Sequence, residues 1–216
     1  ERQREPHFAF QPSLTYAILD TGLSLGYWGA YQINGSNQAA KVRGGYGHEQ
    51  DIILGYSHDW LDKTLILNAG LTAYLYPFAT KKDGLTKCPT YLEPSVKLTY
   101  STVLDLSLQL AYFAALQKEI KDYRYLYVRP YISKSIKLTK NISQLIGVGY
   151  GAKIFNNRDK MKDNVHDIAF DFETTVAVTD AFYLKPAIRG GWSNFKNVAI
   201  GDEFMIYGSF NMGYTF

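Results

Sequence analysis

Hydrophobic and polar positions alternate along most of this chain. Over 204–216 one set of alternate residues, Phe204, Ile206, Gly208, Phe210, Met212, Tyr214 and Phe216, is mostly apolar. The residues between them, Met205, Tyr207, Ser209, Asn211, Gly213 and Thr215, are mostly small or polar. A two-residue period belongs to a β-strand, whose successive side chains point to opposite faces. Leu104, Leu106, Leu108, Leu110 and Tyr112 oppose Asp105, Ser107, Gln109 and Ala111 in the same way. Leu65, Leu67, Ala69, Leu71, Ala73 and Leu75 oppose Asn68, Gly70, Thr72, Tyr74 and Tyr76, with Ile66 breaking the pattern. Ile168, Phe170, Phe172, Val176 and Val178 oppose Asp167, Asp171, Glu173 and Thr175.

The pattern predicts strands over 8–19, 23–33, 51–60, 64–77, 91–100, 103–116, 123–138, 142–155, 165–178, 182–195 and 204–216, the first softly broken at Pro12. Their connections alternate in length. Asp20-Thr21-Gly22, Leu61-Asp62-Lys63, Ser101-Thr102, Thr139-Lys140-Asn141 and Thr179-Asp180-Ala181 are short turns, and the polar tracts 34–48, 78–90, 117–122, 156–164 and 196–203 are longer. Long strands with short turns at one end and longer loops at the other describe an antiparallel transmembrane β-barrel. A tilted strand of about 9–11 residues crosses a bilayer, whereas strands of soluble domains commonly run to about 5–6. A soluble sandwich or lipocalin-like barrel shares the alternation but not these lengths. Tyr56, Trp60, Tyr76, Tyr100, Tyr112, Tyr150, Trp192 and Tyr214 fall near strand ends, where a ring suits the headgroup layer. Pro94, Pro130 and Pro186 fall inside strands and predict bulges or local irregularity.

Eleven strands is an odd total. With the C-terminus on the periplasmic side, the first strand runs inward from outside, so the expected barrel has about twelve strands with its first strand missing from this chain.

Composition agrees with a single β-rich barrel domain over 1–216: 15% aromatic, with 18 Gly and 18 Tyr against three Met and one Cys. The net charge of +3 is scattered, which is not the footprint of a nucleic-acid binder. No apolar run reaches 18 residues, so no transmembrane helix is expected. The opening ERQREPH has no apolar core of a signal peptide. Such a start fits a cytosolic protein or a mature chain whose leader has been removed. Cys88 is alone and cannot form a disulfide within the chain.

Several stretches resemble a known family. HEQDIILGYSHDW (48–60), LTAYLYP (71–77) and YLEPSVKLTYS (91–101) resemble the TorF-like porins of Gram-negative bacteria. FQPSLTYAILDTGLSLGYWGAY (10–31) is similar in layout to that family's early hairpin, while the family's opening strand, ending in Tyr and Arg-Gly, is not visible. The aromatic C-terminal strand also resembles the closing strand of outer-membrane barrels. Phe210, Met212, Tyr214 and Phe216 would form its assembly signature. The resemblance implies a bacterial outer-membrane location, lipid around the barrel, the barrel-assembly machinery as a partner in biogenesis, and a channel.

With apolar faces toward lipid, the interior receives Asp51, Asp59, Glu93, Lys97, Asp105, Arg129, Lys137, Lys153, Asp171, Glu173, Lys185 and Arg189, together with Tyr125, Tyr127 and Tyr131. Such charges either line an aqueous path for ions or small polar solutes, or neutralise one another in a filled lumen. Glu173 with Lys185 or Arg189, and Asp105 with Glu93, Lys97 or Arg129, are the expected cross-strand groupings. The Tyr-x-Tyr-x-Arg-x-Tyr run over 125–131 offers rings and a guanidinium to a sugar or an anion. His48 with Asp51 and His166 with Asp167 are conceivable acid–base pairs, but no nucleophile stands beside either, so no enzyme is expected. The four His and single Cys show no metal-ligand spacing and there is no phosphate-binding glycine loop, so no metal or cofactor is expected.

Overall fold

Residues of strong β preference at alternate positions, punctuated by turn chemistry, build this chain. The structure is a computed structural model describing residues 9–32, 48–75, 90–116, 124–156, 165–194 and 204–215. Its strands are β1 (Ala9–Phe10), β2 (Ser13–Ile18), β3 (Leu23–Gln32), β4 (His48–Trp60), β5 (Leu65–Leu75), β6 (Thr90–Ser101), β7 (Asp105–Ala115), β8 (Tyr125–Lys137), β9 (Ile142–Phe155), β10 (Val165–Ala177), β11 (Phe182–Ser193) and β12 (Phe204–Tyr214). All belong to one sheet in which each strand pairs antiparallel with its sequence neighbour from β3 to β12. β1 and β2 both pair with β3, so Pro12 splits one strand line in two. The expected eleven strand lines are therefore present. Tyr76, Pro77, Cys88 and Phe216 lie outside the described residues.

Short turns close one end of the sheet. In three of them a threonine side chain does the closing: Thr21 Oγ1 accepts from the Leu23 amide at 3.1 Å, and Thr139 Oγ1 accepts from the amides of Asn141 and Ile142 at 3.2 and 3.1 Å. Thr179 Oγ1 repeats this with Ala181 and Phe182 at 3.2 and 2.9 Å. Gly22 ends the β2–β3 turn at φ 76°, a conformation that glycine adopts without a Cβ clash.

The alternation sorts side chains as expected, and exposure runs opposite to that of a water-soluble protein. Leu106, Leu108 and Leu110, mid-strand on β7, are 45%, 47% and 41% exposed. Ser107 between them and Ala111 just beyond, on the opposite face, are buried. Leu25, Leu54, Leu71, Leu98, Ile132, Val148, Ile168 and Ile188 extend the same exposed apolar band across the sheet. So much aliphatic surface is stable only against an apolar solvent such as lipid tails. Tyr56, His58 and Trp60 pack together beyond the band at the short-turn end, joined there by Tyr100 and Tyr214. Tyr112, Tyr150 and Trp192 lie on the same face near the loop end. These are two aromatic girdles flanking an apolar band.

At the prolines the expected local irregularity is found, without a bulge. No bulge forms at Pro94, Pro130 or Pro186: each register is the same before and after the proline. What lapses is the pairing with one neighbour for two positions, at Glu93–Pro94 toward β7, Arg129–Pro130 toward β9, and Lys185–Pro186 toward β10. On its other side each proline stays paired, with Leu71, Leu108 and Phe210. A proline lacks one donor and that donor serves one neighbour, so the loss is one-sided.

The strand path runs from β1 and β2 to β12, and its two ends are not paired with each other among the described residues.

Candidate channel-lining wall

The polar face is richest from β6 to β11. β8 contributes Tyr125, Tyr127, Arg129 and Tyr131 from alternate positions, and opposite them β9 carries Gly147, Gly149 and Gly151. A Cβ at Gly149 would lie 2.8 Å from Tyr131 Cδ2 and 2.9 Å from Arg129 Nε, and one at Gly151 would lie 2.5 Å from Asp167 Oδ1. The three glycines thus leave a trough across β9. The tyrosines lie over it to reach β10, where the Tyr127 hydroxyl donates to Asp167 Oδ1 at 3.1 Å and the Tyr131 hydroxyl to Asp171 Oδ2 at 3.0 Å.

The charges form a continuous chain. Arg129 Nη2 lies 3.8 Å from Asp171 Oδ2, and its guanidinium carbon is 5.1 Å from the Tyr131 ring centre. Arg189 bridges two acids, with Nε 3.3 Å from Asp171 Oδ1 and Nη2 donating to Glu173 Oε2 at 3.2 Å. Lys185 Nζ completes it, 3.4 Å from Glu173 Oε1. These side chains are partly exposed, so each link contributes a modest stabilisation and serves mainly to fix where the charges stand. Beside them is a cavity of about 310 Å³ whose lining includes Lys97, Arg129 and Arg189 against Asp171 and Glu173, with Gln109 and Tyr131 as neutral polar groups.

No protein-family model and no curated protein matches the chain. Among solved structures, the NanC porin in its rhombohedral crystal form resembles it with a TM-score of 0.61 at 12% identity, over 97% of this chain and 94% of that one. The chain folds as an outer-membrane-type β-barrel. A loop L8 deletion mutant of OmpT, an outer membrane protein of Vibrio cholerae, also matches, at a TM-score of 0.45 and 10% identity over 95% of this chain and 62% of that one. In a barrel the apolar face is the outside and the polar face is the lumen wall.

The register turns every ionisable residue expected in the lumen toward it. Asp51 and Glu93 stand toward the loop end. Lys97, Arg129, Asp171, Glu173, Lys185 and Arg189 stand deeper, and Asp59, Asp105 and Lys137 toward the short turns. Asp51 is buried, and its Oδ1 has no hydrogen-bond partner among the described residues. Of the expected groupings, Glu173 takes both Lys185 and Arg189. Asp105 does not hold Arg129: it is paired in register with Ser101 and Ser133, while Arg129 reaches Asp171 over the β9 trough. That partner is two strands away, so strand order alone does not suggest it.

Phe210, Met212 and Tyr214 are exposed on the outer face of β12. His166 and Asp167 cannot work as a pair, because adjacent strand residues point to opposite faces. His166 accompanies outward Tyr150, ring centres 5.7 Å apart, while Asp167 accepts from Tyr127 in the lumen. Among the described residues no group of three or more His, Cys, Asp or Glu could hold a metal ion. Tyr91, Phe113 and Phe155 share the lumen parity of their strands, although large rings in a barrel sequence suggest lipid.

Proposed function

We propose that the protein is a passive outer-membrane channel of the TorF-like porin kind, admitting small polar solutes or ions without catalysis. The observation that carries this reading is the charged wall from β6 to β11, whose fixed cations and carboxylates border a cavity of about 310 Å³. Charged groups ordered along a pore can replace part of an ion's hydration shell without binding it tightly enough to stop it. Arg129, Arg189 and Lys97 would contact anions or electron-rich oxygens, and Asp171 and Glu173 would contact cations or hydroxyl donors. Glu93, Asp105 and Lys185 extend the lining in both directions. Lipid would cover the apolar band, and Phe210, Met212 and Tyr214 on β12 would serve recognition by the barrel-assembly machinery.

A second reading has an observation of its own. The Arg129–Asp171–Arg189–Glu173–Lys185 chain neutralises most of its own charge, as the polar filling of a closed, non-conducting barrel would. Purified protein in planar bilayers separates the two. Resolvable conductance steps at both polarities and in several salts are expected of the channel; their complete absence would leave the filled barrel.

A further inference from the structure

Toward the loop end the lumen wall changes character. Tyr74 on β5, Tyr91 on β6, Phe113 on β7, Tyr125 on β8 and Phe155 on β9 all point inward, one from each of five consecutive strands. Their ring centres are 5.9 Å apart for Tyr74 and Phe113, 4.5 Å for Tyr91 and Phe113, 5.0 Å for Phe113 and Tyr125, and 5.5 Å for Tyr125 and Phe155. The two shortest pairs are nearly parallel, at 29° and 10°. Rings that close cannot lie edge to edge in one plane, so they overlap face to face along the wall. Ala111 and Ala115, both buried, fill the space beside them on β7, and Tyr91 and Phe155 are themselves buried.

We infer that this stack is a rigid aromatic rib that limits what enters the lumen at its loop end. Three features lead there. The faces that would stack on a sugar are occupied by neighbouring rings, so the stack is a wall rather than a row of binding platforms. Ring contacts at these distances add to the stabilisation that burial gives, so the rib holds its shape against a passing solute. It also stands next to polar groups: Lys153 Nζ lies 5.1 Å from the centre of the Tyr125 ring, and Asp51 is paired in register with Tyr74. A rigid ring stack at the loop end sets the size of what enters, while the charged side chains beside and below it set the sign of the ion. This inference rests on the channel reading for its function, though not for its geometry.

The test is truncation of the rib in the full chain. Phe113→Ala with Tyr125→Ala should raise single-channel conductance about twofold and admit larger neutral sugars into proteoliposomes. Folding is checked by the heat-dependent gel mobility of barrels. If the double variant does not fold, Phe113→Leu replaces it; this keeps an apolar side chain but removes the central ring, and a smaller rise is expected. A folded variant with the parent's conductance and size limit overturns the rib. If the parent conducts nothing, the channel reading fails by itself. The rib is then judged by whether truncation opens a conductance, as a rib blocking entry requires, or leaves the lumen closed, which overturns it.

Discussion

Glycine means different things at different places in this barrel. Gly149 faces the lumen beneath Tyr131 and Arg129, with its missing Cβ less than 3 Å from both. Gly208 faces outward on β12, and the nearest atom to its missing Cβ is the Ala187 carbonyl oxygen at 3.9 Å. Gly149→Leu must therefore lift Tyr131 off the wall, break its bond to Asp171 and displace Arg129. A loss of about 1–3 kcal/mol is expected, the usual cost of overfilling a packed site. Gly208→Ala should stay within about 0.5 kcal/mol of the parent, as most exposed substitutions do. Reversible urea unfolding in lipid vesicles measures both; equal losses would show that the β9 trough is not what seats the tyrosines. Tyr131→Phe isolates the hydroxyl and should cost about 1 kcal/mol. Sequence parity places Tyr131 and Gly149 on one face, but not the tilt that carries the ring across β9 to Asp171. A period of two encodes facing, and reach depends on which neighbour is small.

At the scale of a strand, one residue of shift moves a side chain from lipid to water. Leu108 and Gln109 are successive on β7, the first 47% exposed in the apolar band and the second bordering the lumen cavity. Leu108→Arg should cost about 2–4 kcal/mol, the range for a cation on the lipid face near the bilayer midplane. Gln109→Arg should cost well under half of that, because its head can stay in the polar lumen. Comparing the two in one lipid tests the assignment of faces, and similar costs would refute it. Turn positions, facing and most strand extents are legible in the alternation because a barrel wall has a solvent on each side and each enforces its own period, although β4 begins at His48 and not at Asp51. A bulge or a local irregularity is expected at a proline, and the irregularity is what forms, because in a long ladder the missing donor affects only the neighbour it would have served. Register persists because the flanking pairs on both sides already fix it. The aromatic stack was missed for a related reason: Phe113 on the polar face of β7 contradicts its own hydrophobicity, and only the rings contributed by β5, β6, β8 and β9 make that position favourable.

For the whole molecule, the question is whether the charged wall acts on solutes or only on itself. The cavity is bordered by three cations, Lys97, Arg129 and Arg189, and by two carboxylates, Asp171 and Glu173. Arg129→Glu combined with Arg189→Glu leaves one cation facing four carboxylates and removes every cation that touches Asp171. In a conducting barrel the potassium-to-chloride permeability ratio, read from the reversal potential across a salt gradient, should rise several-fold. The rise should be largest near 0.1 M salt, where fixed charge acts over about 10 Å, and should shrink toward 1 M, where it acts over about 3 Å. In a filled barrel the same reversals gather carboxylates in a space that water does not traverse. No current appears, and the penalty falls on stability, because like charges have replaced partners at 3.2–3.8 Å. A selectivity shift that depends on salt identifies a pore whose ions meet Arg129 and Arg189. Conductance that persists with unchanged selectivity would put the ion path elsewhere in the lumen, away from β8, β10 and β11.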